Sequence, residues 1–507
     1  MRNTVIQEYH SCMNSASLTV RRAFQGYCLT FAAILGMITA LAGCKAPVTN
    51  PVGELADSSA HSTRHWTSIE MLRASPESSS ADSIDALQGL IYRPGYSNDV
   101  RVAGIELLME TDPDRVVRTT RQRLARINDA EWLEIYCKWL GSQKWSAPED
   151  KRSINEALIS SWGVRWSQWP DENERPERLA LVSLNGGDQV IPLIFETFQI
   201  NKKASKQGLR NRCWELLHRL DQREALIELV RESPLDNENS MMLDLRAAAD
   251  DLGMVPYNRE EILWLRKLRE PERQEFWEQA KQDVQRISED RRRDMELRDV
   301  AVVVAASRHR PDLLSASSSQ LYQQVESSMR GARHYYETEP GMPTDSRHRE
   351  RLYTHRDQLT WGDLAAISLA QEALSQPAIV RHLFDYGSRD EQDKGTEYGG
   401  IIQLDDQGRF EIREFIPKIR HHDRRFNASQ DMFNAGYTAL YHMHFHAQRY
   451  RNSLHAGPGL GDMNYADNTR TNNLVFTFVD KDTMNVDFYR HGQIIVDLGT
   501  IKRPGSS

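Results

Sequence analysis

The feature that most constrains this chain is a change in hydrophobic period near Tyr386. From about Asp85 to Leu383, apolar residues recur at helical spacing, as at Val100, Ala103, Leu107 and Leu108. Past Tyr386 they fall into short runs of strand length. Gly399-Gly400-Ile401-Ile402-Gln403-Leu404, the turn residues Asp405-Asp406-Gln407-Gly408 and Phe410-Glu411-Ile412-Arg413-Glu414-Phe415 predict a hairpin. Ser429 can cap a helix ending near Leu440, and strands are expected over Leu474–Val479, Asn485–Tyr489 and Gln493–Val496. Such a chain is multidomain, an α-helical region followed by an α/β (α+β) domain with a mixed β-sheet.

The 507 residues suffice for several domains. A formal charge of −8 argues against a general nucleic-acid binder, and the mean hydropathy of −0.62 excludes a polytopic membrane protein. One apolar stretch stands out. Arg21 and Arg22 precede Tyr27–Ala42, 16 residues and too short to span a bilayer, closed by Leu41-Ala42-Gly43-Cys44. The tetrad resembles a bacterial lipobox. The resemblance implies a signal peptide over residues 1–43 and lipidation of Cys44, whose thiol is the group that accepts the lipid. Met13 is an alternative start, since residues 1–12 add nothing that export needs. Cleavage removes Arg2, Arg21, Arg22 and Glu8 and takes the charge from −8 to −10. The chain is then expected in the cell envelope, anchored on the periplasmic or extracellular side. Lys45 after the cysteine, rather than Asp, favours the outer membrane. Cys137 and Cys213 stand among apolar residues and are expected as buried thiols rather than a disulfide.

Residues 44–84, rich in Ser, Pro and Ala, read as a flexible tether. Residues 85–255 read as a helical repeat-like domain. Val100-Arg101 begins a pattern that returns at Leu209-Arg210 and, more weakly, at Leu245-Arg246. An apolar residue, then Arg, then helical apolar spacing is similar to the second helix of HEAT-like repeats, which implies stacked helix pairs able to hold protein partners. Residues 256–330 are helical and highly charged, and the Arg291-Arg292-Arg293 run sits among Glu289, Asp290, Asp294 and Glu296 as a solvated face. Residues 331–350 read as a linker, 351–384 as a helical lead-in and 385–507 as the strand-rich domain.

Tyr441-His442-Met443-His444-Phe445-His446 places imidazoles on one face of a strand, a pattern that can hold a transition metal, most often zinc. Either His442 with His444 or His444 with His446 makes the pair, the second ending the strand where a site can open. Ala456-Gly457-Pro458-Gly459-Leu460-Gly461-Asp462 reads as a flexible turn that can fold Asp462 back to the same ion, and Glu397 precedes the Gly399-Gly400 strand. A Glu, a His-x-His strand and a later Asp resemble the JAMM/MPN (JAB1/MPN/Mov34) metalloprotease motif, over about a quarter of the chain. The resemblance implies His444, His446 and Asp462 as zinc ligands, Glu397 as general acid/base, and hydrolysis of an amide in a peptide or protein substrate. It departs from the family at Gly459, where a Ser that steadies the oxyanion is expected, and in the 12 residues between His446 and Gly459, read as a loop insertion over Arg449–Ala456. His421-His422-Asp423 reads as a solvated turn and His455 as a loop residue. No His-Glu-x-x-His, Gly-x-x-x-x-Gly-Lys-Ser/Thr or Gly-x-Ser-x-Gly competes. The expectation is an envelope-anchored zinc peptidase or isopeptidase. The alternative is a catalytically silent lipoprotein scaffold that binds partners through its helical repeats.

Overall fold

The computed structural model describes residues 47–233, 240–335, 350–417 and 426–505. The signal segment, Cys44 and the His421–Asp423 turn lie outside the described residues, as does most of the expected linker. The chain divides into two units, Met1–Arg123 and Leu124–Ser507. Among the described residues no helix is long and apolar enough to cross a membrane.

The first unit is helical over Pro51–Ala56, Ser62–Arg73, Ala81–Tyr92, Asn98–Thr111 and Pro113–Arg123. Much of the expected tether is therefore folded. Leu55, Ile69, Leu72, Leu87 and Leu90 are fully buried. The serines that suggested a linker start helices instead: Ser75 Oγ accepts from Glu77 N at 3.1 Å and Ser80 Oγ from Ser83 N at 3.3 Å.

The second unit opens with a long helical array, beginning Ala130–Ser142, Pro148–Trp162 and Pro176–Asn185. Cys137 and Cys213 are buried free thiols within it. The three recurring arginines share one task, within their respective units. Arg101 Nη2 donates to Arg93 O at 2.7 Å, Arg210 Nε to Phe198 O at 3.2 Å, and Arg246 Nε to Val230 O at 2.6 Å. Each carbonyl closes the preceding helix (Ala81–Tyr92, Val190–Ile200 and Arg223–Glu232), where backbone oxygens lack helical partners. In the charged region Arg291 does similar work, donating to Leu314 O and Ala316 O, each at 2.8 Å.

The sheet has six strands, β1 (Gly399–Leu404), β2 (Phe410–Glu414), β3 (Tyr441–His446), β4 (Asn473–Asp480), β5 (Thr483–Arg490) and β6 (Ile494–Lys502). Their order is β2-β1-β3-β4-β5-β6. Only β3 and β4 run parallel; the other neighbours are antiparallel. That parallel pair needs a crossover, and the crossover carries part of the site. Around the sheet stand α1 (Leu297–His309), α2 (Trp361–Leu374), α3 (Pro377–Gln392), α4 (Gln430–Gly436) and α5 (Leu460–Thr469). The helix after Ser429 thus ends at Gly436, earlier than expected, with Ser429 Oγ accepting from Met432 N at 3.2 Å.

α1 is buried at every position from Leu297 to Ala306, which is the behaviour of a central helix. Its Arg298 donates to Asp363 Oδ1 on α2 and to Asn472 Oδ1 beside β4, both at 2.7 Å. Arg490 of β5 donates to Asp363 Oδ2 at 2.8 Å. Burial opposes ionisation of Asp363, and the two guanidinium groups override it, holding the carboxyl well below its usual range. A boundary at residue 385 falls inside α3 and cuts no seam in the packing. The strand-rich region shares its core with helices that begin at Leu297.

Candidate metal centre

β3 sets the site. Its alternation puts His442, His444 and His446 on one face, and Gly399 of β1 lies opposite His444 in the register. A Cβ on Gly399 would stand 2.6 Å from Met443 O and from the Phe426 ring. Glycine there lets Phe426 lie parallel to the His444 imidazole, with 6.1 Å between centroids and 9° between planes. At Gly400 a Cβ would come within 2.1 Å of Arg413 O, so the second glycine lets β2 close on β1.

The structure brings His444, His446 and Asp462 together. His444 Nε2 is 3.3 Å from His446 Nε2 and 3.3 Å from Asp462 Oδ1, and His446 Nε2 is 3.5 Å from Asp462 Oδ2. Asp462 arrives by a different route from the expected loose turn. It is the third residue of α5, and its Oδ2 accepts from the N–H of Gly459, the residue that caps the helix, at 2.9 Å. A carboxylate in the first helical turn is also favoured by the helix dipole. Glycine at 459 is not imposed by crowding: its φ is −79°, and a Cβ would meet nothing closer than Asp462 Oδ2 at 3.7 Å.

His442 stands apart from that trio. It is buried, its Nδ1 pairs with the Tyr465 hydroxyl at 2.7 Å, and burial pushes its pKa down to about 4, so it is neutral. A Cβ on Gly436 would sit 2.3 Å from His442 Nε2, so the end of α4 is shaped around this ring.

Glu397 lies just before β1 and is 4% exposed. Burial raises its pKa, with His446 and His444 pulling the other way. Burial also opposes ionisation of Asp462, but the two imidazoles hold it well below the usual carboxylate range. At His446 burial disfavours the imidazolium, yet the hydrogen bond and charge of Asp462, together with Glu397, raise its pKa to about 9. The surroundings therefore favour a positive charge between these groups. His446 Nδ1 donates to His455 O at 2.7 Å, which fixes the tautomer and aims Nε2 at its neighbours.

His442, His444, His446, Asp462 and Glu397 line one cavity of about 1240 Å³. Gln448, Asn452 and Tyr465, which the sequence reading did not single out, line it too. Gln448 Nε2 donates to Glu397 Oε1 at 2.9 Å. His455, expected to be an ordinary loop residue, serves through its carbonyl.

The donor set can be tested for a metal. Zinc ligands at about 2.0–2.1 Å, spread tetrahedrally, stand about 3.3 Å apart. The two Nε2 atoms, and His444 Nε2 with Asp462 Oδ1, stand at that spacing, each 3.3 Å apart, while His446 Nε2 lies 3.5 Å from the other carboxylate oxygen, Oδ2. Two imidazoles and a carboxylate suit zinc and leave a fourth position open. No known protein family, curated protein or solved structure matches the chain.

Proposed function

We propose that this chain is a zinc-dependent hydrolase of an amide bond in a peptide or protein, exported and anchored in the cell envelope through a lipid on Cys44. His444, His446 and Asp462 hold the metal, and Glu397 is the general acid/base. The observation that carries this reading is the meeting of two imidazole nitrogens and the Asp462 carboxylate, 3.3–3.5 Å from one another, in the cavity that holds Glu397. The order of hairpin, helix, His strand, crossover with Asp462 and parallel core strand agrees with the JAMM/MPN-like resemblance.

Zinc held by His444, His446 and Asp462 would supply a Lewis acid able to bring the pKa of water to about 7 and to polarise a carbonyl. The chain's own groups do the rest. Asp462 and the Nδ1-anchored His446 fix the ligand geometry. Glu397 takes a proton from the attacking water as the water oxygen bonds to the amide carbon. It then gives that proton to the leaving nitrogen as the C–N bond breaks. A buried carboxylate whose pKa is raised by its burial is suited to both transfers.

The test is zinc content by elemental mass spectrometry on residues 44–507, wild type against His444→Ala/His446→Ala. The expected result is about one zinc per wild-type chain and none in the variant. Amide hydrolysis should then be present in wild type and absent in Glu397→Gln. A chain purified with zinc present and chelators absent that holds no metal would overturn the hydrolase and leave the scaffold reading.

A further inference from the structure

The loop between β3 and α5 lengthens the gap from His446 to Asp462, and spacing alone makes it an inserted spacer. Its contacts give it another role. Asn452 is 1% exposed, and its backbone N–H donates to Phe478 O on β4 at 2.8 Å. Its side-chain Nδ2 donates to His446 O at 3.1 Å and to Oε1 of Gln448. With its carbonyl oxygen taken, the Gln448 amide can turn only its nitrogen to Glu397, and Nε2 donates to Oε1 at 2.9 Å. The same loop accepts the His446 Nδ1 proton at His455 O. One short segment therefore grips a proposed ligand and the proposed base together.

We propose that Gln448 is a positioning residue for Glu397: it fixes the carboxylate through Oε1 and is itself held in a single amide orientation by Asn452. This rests on the metal reading above. A relay that merely stiffened the loop would act on His446 and hence on the metal. A relay that positions the base acts on proton acceptance and leaves the metal as it was.

The full chain loaded with Co²⁺ separates the two. Cobalt's visible spectrum reports ligand geometry. Acetohydroxamate, a metal chelator that gives up a proton on binding, reports the neighbouring carboxylate. Gln448→Met should retain one cobalt per chain and the wild-type spectrum, yet bind acetohydroxamate about 10–100-fold more weakly, as Glu397→Gln does. Gln448→Leu, which also removes the donor but differs in shape, should behave alike and guards against misfolding of the first variant. Unchanged hydroxamate affinity in both cobalt-loaded variants overturns the positioning role alone. A lost or altered cobalt spectrum in both assigns the relay to His446 and also overturns it. Wild-type chain that takes up no cobalt overturns the metal reading beneath it.

Discussion

Asp487 on β5 faces Asp497 on β6 directly in the register, both fully buried, with Glu350 close by. Asp497 is supplied with donors, Tyr335 N at 3.0 Å and Gly499 N at 2.7 Å, and His334 Nδ1 stands 3.1 Å away. Asp487 takes Asn485 Nδ2 at 2.8 Å and the Gly457 N–H. Burial first, and then the charges of Asp497 and Glu350, push its carboxyl well above the usual range. The folded chain keeps this proton while the unfolded chain loses it near pH 4, so the group's contribution is full below that pH and fades as pH rises through the raised pKa. Asp487→Asn keeps an acceptor for Asn485 and removes the charge. Its melting temperature should match wild type near pH 3 and exceed it by a growing margin toward neutral pH. A margin that does not change with pH, in paired melts across that range, would show that Asp487 does not carry this proton. At the site itself, the His-x-His face could be read because a strand's period of two is written in the sequence. Asp462 carried a signal too, since Gly-x-x-Asp is the spacing of a helix cap and its third residue, but glycine made it look like a turn. Gln448 and Asn452 had no such signal. Gln448 reaches Glu397, and Asn452 reaches Gln448, only because a loop folds back on β4, and spacing cannot show that.

Individual helices in each unit are held by more than their apolar faces. The arginine after the first apolar residue of each repeated pattern reaches back to the closing carbonyls of the helix before it. This explains why a charge recurs at a buried position. Arg210 is 2% exposed and also lies over the Phe198 ring, its guanidinium carbon 4.8 Å from the centroid. Burial lowers its pKa. Arg210→Met fills similar space and removes the hydrogen bond to Phe198 O, so the lost stability should be about 1–3 kcal/mol. In urea, this should appear as a lower unfolding midpoint with an unchanged slope. An unchanged midpoint would mean that the arginine's bond to the helix end contributes nothing. The period of the helices and strands was legible for the reason the histidine face was, as regular spacing of apolar residues. The misread tether shows the limit of composition. Serines that cap helices at Ser75 and Ser80 weigh in a count like serines of a linker, and only the apolar residues on either side of them, such as Leu72 and Leu87, distinguish the cases.

For the unit from Leu124 to Ser507 the question is where it can be cut. The resemblance covers residues 385–507, and a change of period near Tyr386 invites division there. The packing forbids it. A chain starting at residue 385 lacks the first half of α3, all of α2 and all of α1. Tyr441 on β3 would lose the Ala366 carbonyl that accepts its hydroxyl, and Phe445 and Phe476 beside it are fully buried. Arg490 would lose Asp363, and Arg470 would lose its partners Glu296 and Glu261. Breaking a buried ion pair by removing one partner costs about 3–5 kcal/mol. Two such losses are comparable with the about 5–15 kcal/mol that holds a whole domain together. Residues 385–507 expressed alone should therefore show no cooperative thermal transition, whereas residues 124–507 should unfold cooperatively. Circular dichroism melts of the two fragments decide it. A cooperative transition in the shorter one would make the helical layer an accessory to an independent catalytic domain. Its absence would mean that the metal site exists only while α1 and α2 support the sheet, so that disrupting Arg298 or Asp363, neither of which lines the cavity, abolishes metal binding as effectively as removing a ligand.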